Sequence, residues 1–145
     1  MDTPEERPLM DTEPSPAYVQ QTRDAYAAFV RGDIAAVLTN HADDIEWIIP
    51  GPPDLPFAGV IQGKHALQDW IGRYVQTLDF QRFEPYAFIG EGDTVVILIH
   101  VVARMRHNGQ EVVSEEAHVD TYREGKVARF QVFFDTAAYV DAFRG

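Results

Sequence analysis

Glu116 and His118, together with His100, are the residues of this chain best suited to chemistry. An imidazole beside a carboxylate in an apolar cup can move protons near neutral pH. Tyr26, Trp47, Trp70 and Tyr74 are the aromatic side chains from which such a cup could be built. Ile49, Phe57, Val102, Phe130, Val132 and Phe134 are further candidates for its lining, and Arg104 and Asp120, nearer the rim, could orient a polar substituent. The competing reading is a polar network inside the sheet whose charges merely neutralise one another. The two histidines and Glu116 could also ligate a divalent metal, but the same trio serves acid–base work equally well, so neither metal nor cofactor is expected. His41, His65 and His107 fall at a helix end, a helix start and a turn, where solvation is the expectation. The chain has no cysteine, which excludes thiolate nucleophiles, disulfides and Cys-ligated zinc. It has no P-loop, no Gly-rich dinucleotide fingerprint and no Gly-x-Ser-x-Gly elbow.

Strands must bring these side chains together. Four β-rich runs, Phe80–Ile89, Thr94–Arg106, Glu111–Tyr122 and Lys126–Phe134, are separated by Gly90-Glu91-Gly92-Asp93, Asn108-Gly109 and Glu124-Gly125. Three-residue turns at His107-Asn108-Gly109 and Arg123-Glu124-Gly125 would set His100 opposite Glu116 and His118 between Leu98 and Phe130. Because side chains alternate, one face then carries Leu98, His100, Val102, Arg104, Glu116, His118 and Asp120, with Phe130, Val132 and Phe134 from the last strand. Asn-Gly also favours a two-residue turn, and a slip of one residue would bring the other set opposite His118.

Upstream the pattern is helical. Ser15-Pro16 marks a helix start, and Val19, Thr22, Tyr26, Phe29 and Val30 recur at helical spacing up to Gly32. Asp33 caps a short second helix through Ile34, Val37 and Leu38. A strand from Ile45 to Ile49 stops at Pro50-Gly51-Pro52-Pro53, and a loop runs on to Gly59. A third helix from Lys64 to Leu78 points Leu67, Trp70, Ile71, Tyr74 and Leu78 inward, and Thr136–Arg144 could close the chain as a short helix. Helices first and an antiparallel meander afterwards imply an α+β domain with helices on one face of a curved sheet.

At 145 residues, 46% of them hydrophobic, the chain is one domain's worth and can afford a cavity in its core. Residues 1–14 hold little to bury and are expected to form a flexible tail, with the domain over 15–145. The net charge of −11, from 23 acidic and 12 basic residues, repels phosphate backbones, so nucleic acid is not expected as a partner. No apolar run reaches the roughly 20 residues of a membrane span, and the N-terminus lacks signal-peptide character. A cytoplasmic location is the default expectation, with no membrane partner.

Several local motifs, in this order, resemble the nuclear transport factor 2-like superfamily in its SnoaL-like and ketosteroid isomerase branch. Tyr26-Ala-Ala-Phe-Val-Arg-Gly-Asp33 resembles the family's first-helix ending, and Ala42-Asp43-Asp44-Ile45-Glu46-Trp47 its entry into the first strand. Gly59 with Gly63-Lys64-His65-Ala66-Leu67 resembles the start of its third helix. Gly125-Lys126-Val127 and Phe133-Phe134-Asp135 resemble its last hairpin and closing strand. The resemblance covers about residues 16–143. It implies a cone-shaped α+β barrel, a curved antiparallel sheet wrapped over three N-terminal helices. It also favours the three-residue turn, which puts His100, His118 and Val132 where relatives carry cavity residues.

Carried over residue by residue, the resemblance removes two named reactions. The proton-shuttling carboxylate of ketosteroid isomerase falls where Ile49 stands, and Ile49 cannot take a proton. Tyr26 lies near the isomerase's tyrosine donor and His118 near the place of its acid. The places matching the limonene epoxide hydrolase machinery read Val102, His100 and Val132, with Trp47 and Ile49. The SnoaL-like cyclases use a His/Asp pair on the late strands. His118 matches the histidine, and Glu116 or Asp120 could stand for the aspartate. The implied function is acid–base chemistry of isomerase or cyclase type on a small hydrophobic, carbonyl-bearing molecule. In it His118 is the acid/base, Glu116 and His100 tune it, and Tyr26 donates to a developing oxyanion. The alternative is a non-catalytic ligand-binding domain or dimeric scaffold. Dimerisation is expected through the outer sheet face, where this register puts Ile97, Ile99, Val101 and Val119.

Overall fold

The computed structural model describes residues 16–145, and the expected tail over 1–14 lies outside them. Its elements run α1 (Pro16–Val30), α2 (Ile34–Thr39), β1 (His41–Ile49), β2 (Gly59–Gln62), α3 (Lys64–Thr77), β3 (Leu78–Glu91), β4 (Thr94–Met105), β5 (Glu111–Arg123), β6 (Lys126–Phe133) and α4 (Thr136–Arg144). Local chemistry sets several boundaries. Gly32, at φ +82°, turns the chain out of α1. The Asp33 and Asp135 carboxylates accept from Ala36 N at 3.2 Å and Ala138 N at 3.0 Å, capping α2 and α4.

The six strands form one sheet in the order β2-β1-β6-β5-β4-β3. The sheet is mixed rather than wholly antiparallel, because β1 pairs with β6 in parallel. The expected loop up to Gly59 also gives way to β2, which covers the outer edge of β1 through Glu46–Gln62 to Ile49–Gly59. The curved sheet and the helices form the cone-shaped α+β fold. Between them lies a core that includes Leu67, Trp70, Ile71 and Tyr74 of α3 and Val95, Ile97, Ile99 and Val101 of β4.

The β4–β5 register differs by one residue from the expected one. Met105 N donates to Gln110 O and Gly109 N to Met105 O, each at 2.8 Å, so the connection is a four-residue loop over 106–109. Gly109 takes the left-handed conformation there at φ +73°. Asn108 is engaged by the C-terminal helix: its Nδ2 donates to Ala142 O at 2.8 Å, while its Oδ1 accepts from Gln110 N at 2.9 Å. His107 Nε2 donates to Phe143 O at 2.9 Å. These contacts with α4 hold the longer loop against the tighter turns that Asn-Gly alone favours. His100 consequently pairs with Glu115, and His118 with Ile97.

The β5–β6 connection also differs. Glu124 and Gly125, at φ +50° and +81°, make a two-residue turn between Arg123 and Lys126. A bulge then shifts the register between Thr121 and Tyr122, so that Val127 and Phe130 both point inward and His118 stands opposite Val132. Without that bulge Gln131 would face His118.

Candidate active site

One strand supplies the polar side of the interior. Glu116, His118 and Asp120 alternate along β5, so all three face the helices and all three are buried. Around them is a cavity with about 710 Å³ of empty space, counting the solvent at its mouth. Tyr26 and Phe29 of α1, Trp70 and Tyr74 of α3, and Phe83 of β3 form its helix-side wall. Trp47 and Ile49 of β1, Phe130 and Val132 of β6, and Phe57 and Phe134 from flanking loops close the other side. Phe57 is positioned through the indole of Trp70, whose Nε1 donates to Phe57 O at 2.7 Å.

The polar groups are bonded to very different degrees. Glu116 is held at both oxygens: Tyr139 OH donates to Oε2 at 2.5 Å, and His118 Nε2 lies 3.0 Å from Oε1. On the other side of the imidazole, Tyr26 OH lies 2.7 Å from Nδ1. These bonds fix the resting tautomer. An ionised Glu116 can only accept, so Nε2 carries the hydrogen and Nδ1 takes the Tyr26 proton. The result is a directed chain from Tyr26 through His118 to Glu116, ending on Tyr139.

Asp120 stands apart. Its carboxyl makes no hydrogen bond among the described residues, and Oδ1 is buried without a partner. Burial pushes its pKa from 3.8 up to about 8, so the acid holds its proton at neutral pH. Tyr26 is held well above its usual 10.0, first by burial and then by the charges that Asp120 and Glu116 carry once ionised, and it keeps its proton as well. Burial and the Glu116 charge likewise raise Tyr74. Burial raises Tyr139 as well, with the charges of Tyr74 and Glu116 adding to it.

Three expected site residues are displaced by the register. His100 lies on the outer face, where its Nδ1 meets Glu115 Oε1 at 2.5 Å and its ring stacks on Tyr86 at 4.3 Å. Val102 and Arg104 share that face, opposite Val113 and Glu111. None of the three reaches the cavity. Among the described residues no group of histidines and carboxylates is placed to hold a metal ion. Conversely, Ile97, Ile99 and Val101, expected outside, are buried on the inner face.

Two further residues contribute to the site. His41, expected to be solvated, is 5% exposed and lines the cavity. It opens β1 directly after α2, and its Nδ1 donates to Val37 O at 2.8 Å. Burial lowers its pKa from 6.5 to about 4, so it is neutral with its free electron pair on Nε2. Tyr139, from the terminal helix, is the other. Its position in Ala-Ala-Tyr-Val-Asp-Ala-Phe, on the apolar face of α4, was the available signal.

The chain belongs to the SnoaL-like domain family, whose profile matches residues 22–130. It is similar to an NTF2-like protein from Burkholderia xenovorans LB400, at 29% identity and a TM-score of 0.81 over 90% of this chain and 98% of that one. An NTF2-like protein from Burkholderia thailandensis E264 is 28% identical, with a TM-score of 0.77 over 88% and 97% of the two chains. TerC, crystallised with polyporic acid, is 25% identical, with a TM-score of 0.76 over 90% and 100%. No curated protein sequence matches the chain. No helix among the described residues is long and apolar enough to cross a membrane.

Proposed function

We propose that this SnoaL-like protein binds a flat, hydrophobic, carbonyl-bearing molecule and moves a proton on it, with His118 acting through Tyr26. The observation that carries this reading is the imidazole bonded on both sides, to Tyr26 at 2.7 Å and to Glu116 at 3.0 Å, in the wall of an aromatic cavity. The substrate carbon gives its proton to the Tyr26 oxygen while the phenol passes its own proton to His118 Nδ1. Glu116 stabilises the imidazolium so formed. Tyr26 need not ionise, because it loses one proton as it gains another. The electron pair left on the substrate moves to the carbonyl oxygen, and the protonated Asp120 is the donor in the same cavity suited to meet it. Running the relay backwards onto a second carbon completes an isomerisation or a ring closure of aldol type. The co-crystallised polyporic acid of TerC supports a small organic ligand for this fold.

The test is exchange. Acetonaphthone in heavy water should lose its methyl protons to deuterium faster with the protein than without it, read by proton NMR. His118→Gln should remove that acceleration and leave acetonaphthone binding intact. Undiminished exchange in this variant would reject the assignment.

Ile49 favours a second reading. It is a buried alkyl side chain where the isomerase resemblance calls for a base. Binding without any exchange would support a ligand carrier instead. In either case we propose a cytoplasmic homodimer joined through the outer sheet face, where Tyr86, Val113 and Phe133 are 54%, 62% and 54% exposed.

A further inference from the structure

The acid–base chain leaves part of the cavity's polar chemistry unused. At the β1 wall two ring side chains offer hydrogen-bonding atoms with nothing to bond. Trp47 Nε1, a donor, is buried without a partner. His41 bonds through Nδ1 to the Val37 carbonyl, which can only accept, so Nδ1 bears the hydrogen and Nε2 is left as an unpartnered acceptor. Both residues line the cavity, and their rings lie 5.5 Å apart. A buried donor left unpaired, as Trp47 Nε1 is, costs stability, and native structures leave few such groups. Trp70 makes the contrast, since its indole is satisfied by Phe57 O at 2.7 Å.

From this geometry we infer that His41 and Trp47 form a second polar subsite, which receives a hydroxyl of the ligand. A hydroxyl both accepts and donates, so it can take the Trp47 N–H and give its own hydrogen to His41 Nε2. A carbonyl would leave His41 unpaired, an ether oxygen would do the same, and a carboxylate would enter a cavity that has no Lys or Arg in its lining. The substrate class is therefore a neutral hydroxyaryl ketone, with its ring system flanked by Trp47, Phe130 and Trp70. The orientation rests on the reading that puts the reacting carbon at Tyr26 and the carbonyl oxygen at Asp120. The subsite itself rests on the unpaired atoms of β1.

Three ketones test it: acetonaphthone with a hydroxyl on the far ring, its methyl ether, and acetonaphthone itself. Calorimetry should give roughly ten-fold tighter binding for the hydroxyketone than for either of the others, the factor that one well-made hydrogen bond supplies. The chain has two tryptophans, so nitrogen-labelled protein gives two indole N–H signals. The Trp47 signal should move downfield with the hydroxyketone alone, while that of Trp70 stays in place. Trp47→Phe and His41→Phe should each bring the affinity for the hydroxyketone down to that for its methyl ether. Equal affinity for the three ketones, as when a trapped water keeps both groups satisfied, would overturn the subsite. So would an unmoved Trp47 signal, or failure of all three to bind. Deuterium exchange on the same ketones separates the two readings. Exchange without hydroxyl preference rejects the subsite and keeps the chemistry, whereas preference without exchange does the reverse.

Discussion

Replacing Asp120 by Asn tests the electrostatics of the cavity most directly. The carboxyl is 4% exposed, has no bonded partner, and holds its proton up to about pH 8 against 3.8 when unfolded. Between those values the folded state binds a proton that the unfolded state has lost. Stability from this group is therefore complete below pH 3.8 and declines as pH rises through about 8. The slope is at most about 1.4 kcal/mol per pH unit. Wild-type protein alone would hide it, because His41 opposes it: with its pKa lowered from 6.5 to about 4, His41 costs stability as pH falls from 6.5. The comparison with Asp120→Asn cancels the His41 contribution and leaves that of Asp120. Urea unfolding of both proteins at about pH 4.5 and about pH 7.5 should show the Asn variant gaining on wild type by up to roughly 4 kcal/mol. Solvent in the cavity screens the carboxylate and could halve this, leaving about 2 kcal/mol. For a chain of this size that is a relative rise in Tm of roughly 4–16 °C. A difference that does not change with pH would mean that Asp120 ionises normally in the folded protein, and the neutral donor would be lost from the mechanism.

Tyr139→Phe leaves Glu116 Oε2 buried without its 2.5 Å donor, so calorimetric melting should show a loss of about 1.5–3 kcal/mol. Gly90→Ala would set a methyl group 2.5 Å from Val19 Cγ2, where β3 meets the helix that carries Tyr26. We expect a cost of roughly 1–3 kcal/mol in urea unfolding. His118→Gln should slow ketone exchange by about two orders of magnitude or more, followed by NMR. Light scattering at micromolar concentration should report a dimer, and Val113→Glu on the outer face should shift it towards monomer. A wild-type monomer under those conditions would refute that interface.

Composition and periodicity carried much of the architecture. The helical spacing from Val19 to Phe29, the cap at Asp33, and the alternation of the late strands each act within a few residues, so each could be read locally. Pairing registers could not, because they depend on distant contacts. The loop after Met105 is four residues long because Asn108 and His107 are bonded to Ala142 and Phe143, more than thirty residues away. That single step turned His100, Val102 and Arg104 outward and Ile97, Ile99 and Val101 inward. Glu116, His118 and Asp120 kept their face because they share one strand, and no slip between strands can change the alternation within one. The inward aim of Phe130 and Val132 depended on something else: a bulge offset the tighter turn at Glu124-Gly125. His41 escaped notice for the opposite reason. A histidine between a helix and a strand suggests a polar loop, and only the packing of α2 against β1 shows it to be walled in.

The arrangement along β5 sorts its polar groups by how firmly each is held. Glu116 is bonded at both oxygens and is 1% exposed at the side chain, so it can do little but hold the imidazole in one tautomer. His118, next inward-facing residue along the strand, is bonded at both nitrogens, but one of its partners is Tyr26, which also faces the cavity space. Asp120, the next again, is bonded to nothing. A purely structural network would be satisfied throughout, because each unpaired buried group subtracts from stability. A satisfied anchor at one end and open hydrogen-bonding capacity at the other is what a site requires if its missing partner is a ligand. The unpaired Trp47 nitrogen on β1 has the same character. The atoms left unbonded on β5 and β1 therefore weigh more for function than the well-made bonds between them.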